Sequence, residues 1–166
     1  QNVSVQQQSL ILGSAFWGMF LGTYTGVLLA ATAIPAWFLH RTVLPIHFGV
    51  AGLGSAAALL ELLGHRIAPL GAVGFLAAAT ETVLWIWLEI DKHGKADRAL
   101  RESRSGWLIR CAEIFSGPLA LILRLTNFVP LAAISFLVGA LVSRFAWIAA
   151  GKVSACDPEA VFASQK

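Results

Sequence analysis

Charge is what this chain has least of. Asp, Glu, Lys and Arg make up only 13% of its 166 residues, about half the share of an ordinary soluble domain, and the first of them is Arg41. With 57% hydrophobic residues, the chain is too poor in polar surface to be a water-soluble globule. The net charge of +3 is too small to favour nucleic acid as a partner. Cysteine is nearly missing as well. Cys111 and Cys156 lie far apart, in no metal-ligand spacing, which argues against a disulfide framework or a thiolate cluster. There is no nucleotide-binding loop, zinc spacing, iron–sulfur cysteine run, nucleophile elbow, internal repeat or low-complexity tract. No residue stands out as catalytic, and no metal-ligating set is visible.

What is present is long apolar runs. Leu10 to Ile34 holds no charged side chain. As a helix it would reach roughly 37 Å, more than the ~30 Å hydrocarbon core of a bilayer. Gly13, Ala15, Gly18, Gly22, Gly26 and Ala30 recur at about the spacing that lets membrane helices approach closely. Thr23, Tyr24 and Thr25 are polar groups near mid-membrane and need partners there. Further runs cover 43–64, 67–90, 107–125 and 128–150. The fourth is the least clean, with Arg110, Glu113, Pro118 and Arg124 inside it, and Gly117 with Pro118 is a place for it to break. The expected fold is therefore all-α, a polytopic transmembrane bundle of five spans. Residues 1–9 form an outer segment, 91–106 a hydrophilic loop with a short helix around 96–103, and 151–166 a polar tail. The opening QNVSVQQQS lacks the basic region of a signal peptide, so the start reads as internal to a longer protein or as a processed end.

Five spans place Arg41, Lys92, Lys95, Arg98, Arg101, Arg104, Lys152 and Lys166 on one side, leaving Arg66 and Arg124 on the other. The positive-inside rule then sets the amino terminus outside and the carboxyl terminus in the cytoplasm. Trp37, Trp85, Trp87, Trp107 and Trp147 fall near the cytoplasmic interface, as an aromatic belt does. Counted from the cytoplasmic helix ends, Glu81 lies about 13 Å deep, Glu113 and Arg144 about 9 Å, Arg110 and His47 about 5 to 6 Å, and Tyr24 about 15 Å. An unpaired charge inside a membrane is costly, so Arg144 is expected to pair with Glu113 or Glu81. Arg110, three residues from Glu113, is placed to join them. The functional reading of this group is a proton half-channel or a polar pocket for a quinone head group. The structural reading is a buried ion pair that fixes helix register. Tyr24 is read as a packing residue or as a phenol facing a quinone carbonyl. Glu61, His65, Arg66 and Arg124 form an outer-side group, read chiefly as interfacial snorkelling with a surface ion pair. His40 and His93 in loops, with His47 and His65 near opposite faces, do not make a haem site.

Three segments carry a family resemblance: GTYTGVLLAATAIPAW at 22–37, LPIHFGVAGLGSAAALLELLG at 44–64 and SRFAWIAAGKVSACDPEAVF at 143–162. Together they resemble the NrfD family of polysulfide-reductase-type integral membrane subunits (NrfD/PsrC). The resemblance is to the carboxyl-terminal half of such a subunit. The resemblance implies a non-catalytic anchor in the bacterial cytoplasmic membrane that binds no cofactor of its own. Such an anchor exchanges electrons between the quinone pool and an iron–sulfur partner, often with molybdopterin or multihaem subunits, and sometimes moves protons. Quinone-site residues of that family lie largely in an amino-terminal bundle outside this chain, so no quinone site transfers to a residue here. A purely structural scaffold is the main alternative, and a small-solute transporter a weaker one, since no inverted repeat is seen.

Overall fold

A computed structural model describes residues 5–91 and 103–158. The described residues form an all-α bundle: α1 Val5–Ala30, α2 Pro35–Leu39, α3 Val43–Leu62, α4 Ala68–Ile90, α5 Arg104–Ile114, a π-helical segment Phe115–Leu119, α6 Ala120–Leu125 and α7 Val129–Ala155. Four of these helices, α1, α3, α4 and α7, are long and apolar enough to cross a membrane. The chain is thus a helical membrane protein.

The fourth run, expected over 107–125 with a place to break at Gly117–Pro118, is interrupted at that place. It is helical from Arg104 to Leu125, but the middle opens into a π turn. The cause lies in Pro118, which has no N–H to return to the preceding turn. The Ser135 hydroxyl of α7 donates to the Phe115 carbonyl inside the π segment at 2.6 Å, giving that carbonyl a partner outside its own helix. The other boundaries also shift. α1 begins at Val5 and ends at Ala30, short of the expected Ile34, and Pro35 starts the separate short helix α2. α7 continues to Ala155, so the first residues of the expected tail are helical. The helix expected around 96–103 falls almost wholly outside the described residues.

Turn chemistry explains the remaining ends. Gly64 (φ 93°) and Asn127 (φ 62°) take left-handed conformations just after α3 and α6, which suits a glycine and is tolerated by an asparagine. Pro69 and Pro130 sit in the first turns of α4 and α7, where the missing N–H costs nothing. The Ser103 side chain accepts from the Gly106 N–H at 3.1 Å and caps α5.

α3 and α7 lie at the centre, with α4 and the α5–π–α6 helix packed around them, while α1 leans chiefly on α3. The close approaches depend on glycine. A Cβ on Gly26 of α1 would stand 2.6 Å from the Leu44 carbonyl oxygen, and one on Gly139 of α7 would stand 2.6 Å from that of Ala112. Higher on α1 the approach is looser: a Cβ at Gly13, Gly18 or Gly22 would meet nothing within 4 Å.

Two apolar layers result. One gathers Trp37, Leu44, Phe48, Ile109, Ala146 and Trp147; the other gathers Ala51, Ala77, Ala78, Ala120, Phe136 and Ala140. Trp37 and Trp147 are therefore core residues, not members of a belt. The Trp37 indole N–H donates to the Trp147 carbonyl at 2.9 Å.

Candidate functional site

Between the two apolar layers four helices each contribute one polar residue. On α3 it is His47, next to Phe48 and one turn before Ala51. On α4 it is Glu81, one turn beyond Ala77 and Ala78. On α5 it is Glu113, between Ile109 and Ala120, and on α7 it is Ser143, between Ala140 and Ala146. Their exposures are 2% for His47, 0% for Glu81, 1% for Glu113 and 0% for Ser143, so bulk solvent does not reach them.

His47 is the hub. Its Nδ1 lies 2.8 Å from Glu81 Oε2 and 3.8 Å from Glu113 Oε1. Its Nε2 lies 3.2 Å from Ser143 Oγ. The Ser143 hydroxyl donates to the Ala140 carbonyl at 3.0 Å. It must therefore accept from His47, which puts a proton on Nε2 and turns Nδ1 to the two carboxylates. The proton between Nδ1 and Glu81 then belongs either to an imidazolium or to a protonated carboxyl, and the two forms interconvert by a short hop along one hydrogen bond. Trp147 closes the site from above, its ring centroid 6.5 Å from that of His47. Its indole N–H faces Glu113 but does not meet the geometry of a hydrogen bond. Glu81 Oε1 and both Glu113 carboxylate oxygens are buried with no hydrogen-bond partner among the described residues. Such groups ordinarily find one.

Two packing contacts position Glu113. A Cβ on Gly117 would stand 2.9 Å from Thr82 N, and Gly139 faces Ala112 and Ser116. The π segment is thus wedged between α4 and α7, directly after the turn that carries Glu113.

The expected polar group is only partly assembled. His47, Glu81 and Glu113 come together, closer than counting depth from helix ends allows, because that count takes the ends as level and ignores side-chain reach. Arg144 does not pair with either carboxylate. Its guanidinium lies 5.1 Å over the Phe48 ring, and no ion pair to it forms among the described residues. Arg110 does not join either: its Nε pairs with Glu89 Oε1 at 2.8 Å, both about two-fifths exposed. Tyr24 faces outward, stacked on Phe20 of the same helix. Thr23 bonds to the carbonyls of Met19 and Phe20, within its own helix.

The outer-side group also changes character. Arg124 grips Glu61 with two bonds of 2.9 and 2.7 Å, and the pair is almost fully buried, not a surface bridge. His65 and Arg66 are exposed and take no part in it. Ser143 and Trp147 are the site residues that sequence reasoning missed. A serine spaced among alanines on the most apolar helix was a weak signal for the first, and Trp147 was assigned to the interface.

No protein-family model, curated protein or solved structure matches the chain. The site's own geometry is what bears on function.

Proposed function

We propose that this chain is a proton-handling membrane part of a quinone-linked oxidoreductase complex in a bacterial cytoplasmic membrane. The observation that carries the reading is His47 held between Glu81 and Ser143, with Glu113 one short step away, all buried. A fixed structural ion pair satisfies its own oxygens, whereas three carboxylate oxygens of this group have no hydrogen-bond partner among the described residues, which suits a site that accepts and passes protons. Placing ionisable groups inside a membrane bundle costs about 2.5–3.5 kcal/mol each, so they mark a pathway more often than an ornament.

The mechanism follows from the hydrogen bonds. Ser143 fixes the imidazole ring and keeps its Nε2–H occupied. Nδ1 then exchanges one proton with Glu81, and rotation of a carboxylate brings Glu113 from 3.8 Å into bonding range for the next transfer. The apolar layers above and below keep protons from leaking past.

The resemblance to the NrfD family supports the redox setting, with an iron–sulfur subunit as the electron partner, further molybdopterin or multihaem subunits, and quinone as the substrate of the complex. Isolation of the native complex tests it. Co-purifying iron–sulfur protein, with quinol-linked proton uptake that falls at least tenfold in Glu113→Gln while the complex still assembles, is the expected result. Full proton uptake in that variant would leave a structural scaffold.

A further inference from the structure

The geometry points to a second occupant of the same cluster: a divalent transition-metal ion of the Zn2+ class, held by His47 Nδ1, Glu81 and Glu113. This goes beyond the proton reading while drawing on the same three residues. One ligand atom from each residue lies within 4.8 Å of the other two. Tetrahedral ligands at Zn–N and Zn–O distances of about 2.0–2.2 Å stand roughly 3.4 Å from one another. The observed Nδ1 separations of 2.8 and 3.8 Å bracket that value, and the two carboxylates, whose ligand atoms lie within 4.8 Å of each other, close on the ion by rotation.

Three further features fit. The Nε2–H already donates to Ser143, the outer hydrogen bond that zinc-bound imidazoles use to fix tautomer and ring. Glu113, 1% exposed, presents both of its oxygens with no hydrogen-bond partner among the described residues, although a carboxylate buried for structure alone would be hydrogen-bonded. The charges also balance. A neutral imidazole with two carboxylates carries two negative charges, and one divalent ion neutralises them as two protons do. Nitrogen plus carboxylate ligation suits zinc better than magnesium or calcium, which favour all-oxygen cages. Three protein ligands leave the fourth position open.

The test uses the complex as purified, stripped with a chelator and returned to Zn2+. The expected result is one zinc per chain. Affinity should fall at least tenfold in His47→Asn and in Glu113→Gln, and stay unchanged in His65→Ala, which alters an exposed histidine. Equal zinc in wild type and the His47 and Glu113 variants, or none in wild type, overturns the inference. Should a variant fail to assemble, Co2+ added to the wild type decides. Intense visible bands of a four- or five-coordinate ion support the site, and the weak spectrum of the hydrated ion refutes it. Proton uptake without stoichiometric metal removes this inference and leaves the proposed function standing. Metal binding in a chain with no redox partner does the reverse.

Discussion

Ser143 shows how much one hydroxyl decides. It accepts from His47 while donating within its own helix, and so selects the ring face that meets the carboxylates. Ser143→Ala leaves a buried imidazole N–H without an acceptor, a loss of about 1–3 kcal/mol. Thermal unfolding of the purified variant should report that loss and proton uptake should slow, whereas Ser143→Thr, which keeps the hydroxyl, should recover most of both. Arg144 makes the contrasting case. Its charge rests on the face of Phe48 and touches neither carboxylate, so Arg144→Gln should lower proton uptake far less than Glu113→Gln. Equal losses would return Arg144 to the network. At this scale the sequence was legible in kind but not in pairing. An ionisable residue in an apolar run announces itself by its cost, which found His47, Glu81 and Glu113. Which partner each takes depends on helix rotation, and charge counts do not contain that. Arg110 turned to Glu89 for this reason, whereas Arg124 and Glu61, expected together on the outer side, do pair but buried.

At the scale of elements, the glycines and Pro118 control where the site residues stand. Gly139→Ala would put a Cβ about 2.6 Å from the Ala112 carbonyl oxygen, beside Glu113. Overpacking of this kind costs about 1–3 kcal/mol, so a lower melting temperature and weaker activity are expected together. An unchanged melting temperature would mean that α5 and α7 are not pressed together as described. Gly74→Ala should act at the other end, since its Cβ would collide with the Arg124 guanidinium. Removing one partner of a buried pair costs about 3–5 kcal/mol, so displacing Arg124 from Glu61 should destabilise the bundle more than the added methyl alone. Thermal unfolding of Gly74→Ala beside Arg124→Gln checks this: similar losses fit, and a silent Gly74→Ala does not. The long helices were readable because apolar runs without charge have few alternatives. The π turn was signalled only as a break at Gly117–Pro118, because the sequence does not show that Ser135 donates to the Phe115 carbonyl within it.

At the scale of the whole molecule, the bundle has one end that carries α2, the start of α3, the end of α4, the start of α5 and the end of α7, tied by Ala36–Ser154, Trp37–Trp147 and Glu89–Arg110 contacts. The His47 cluster lies toward that end. The positive-inside rule leads one to expect that end in the cytoplasm, and the exposed Cys156 makes the expectation testable. A membrane-impermeant maleimide should label Cys156 in inside-out vesicles and not in right-side-out ones; the opposite pattern would invert the proton route. α1 leans on α3 through its lower half and leaves Leu10, Phe16, Trp17 and Leu21 exposed.

The measurement that bears most directly on the central claim is infrared difference spectroscopy of the native complex on addition of quinol. If His47, Glu81 and Glu113 hand on protons, the spectrum will contain a carboxyl band that appears or vanishes with turnover and is missing in Glu113→Gln. A complex that turns over with no such band, or with the same band in the variant, would contradict proton transfer through this cluster.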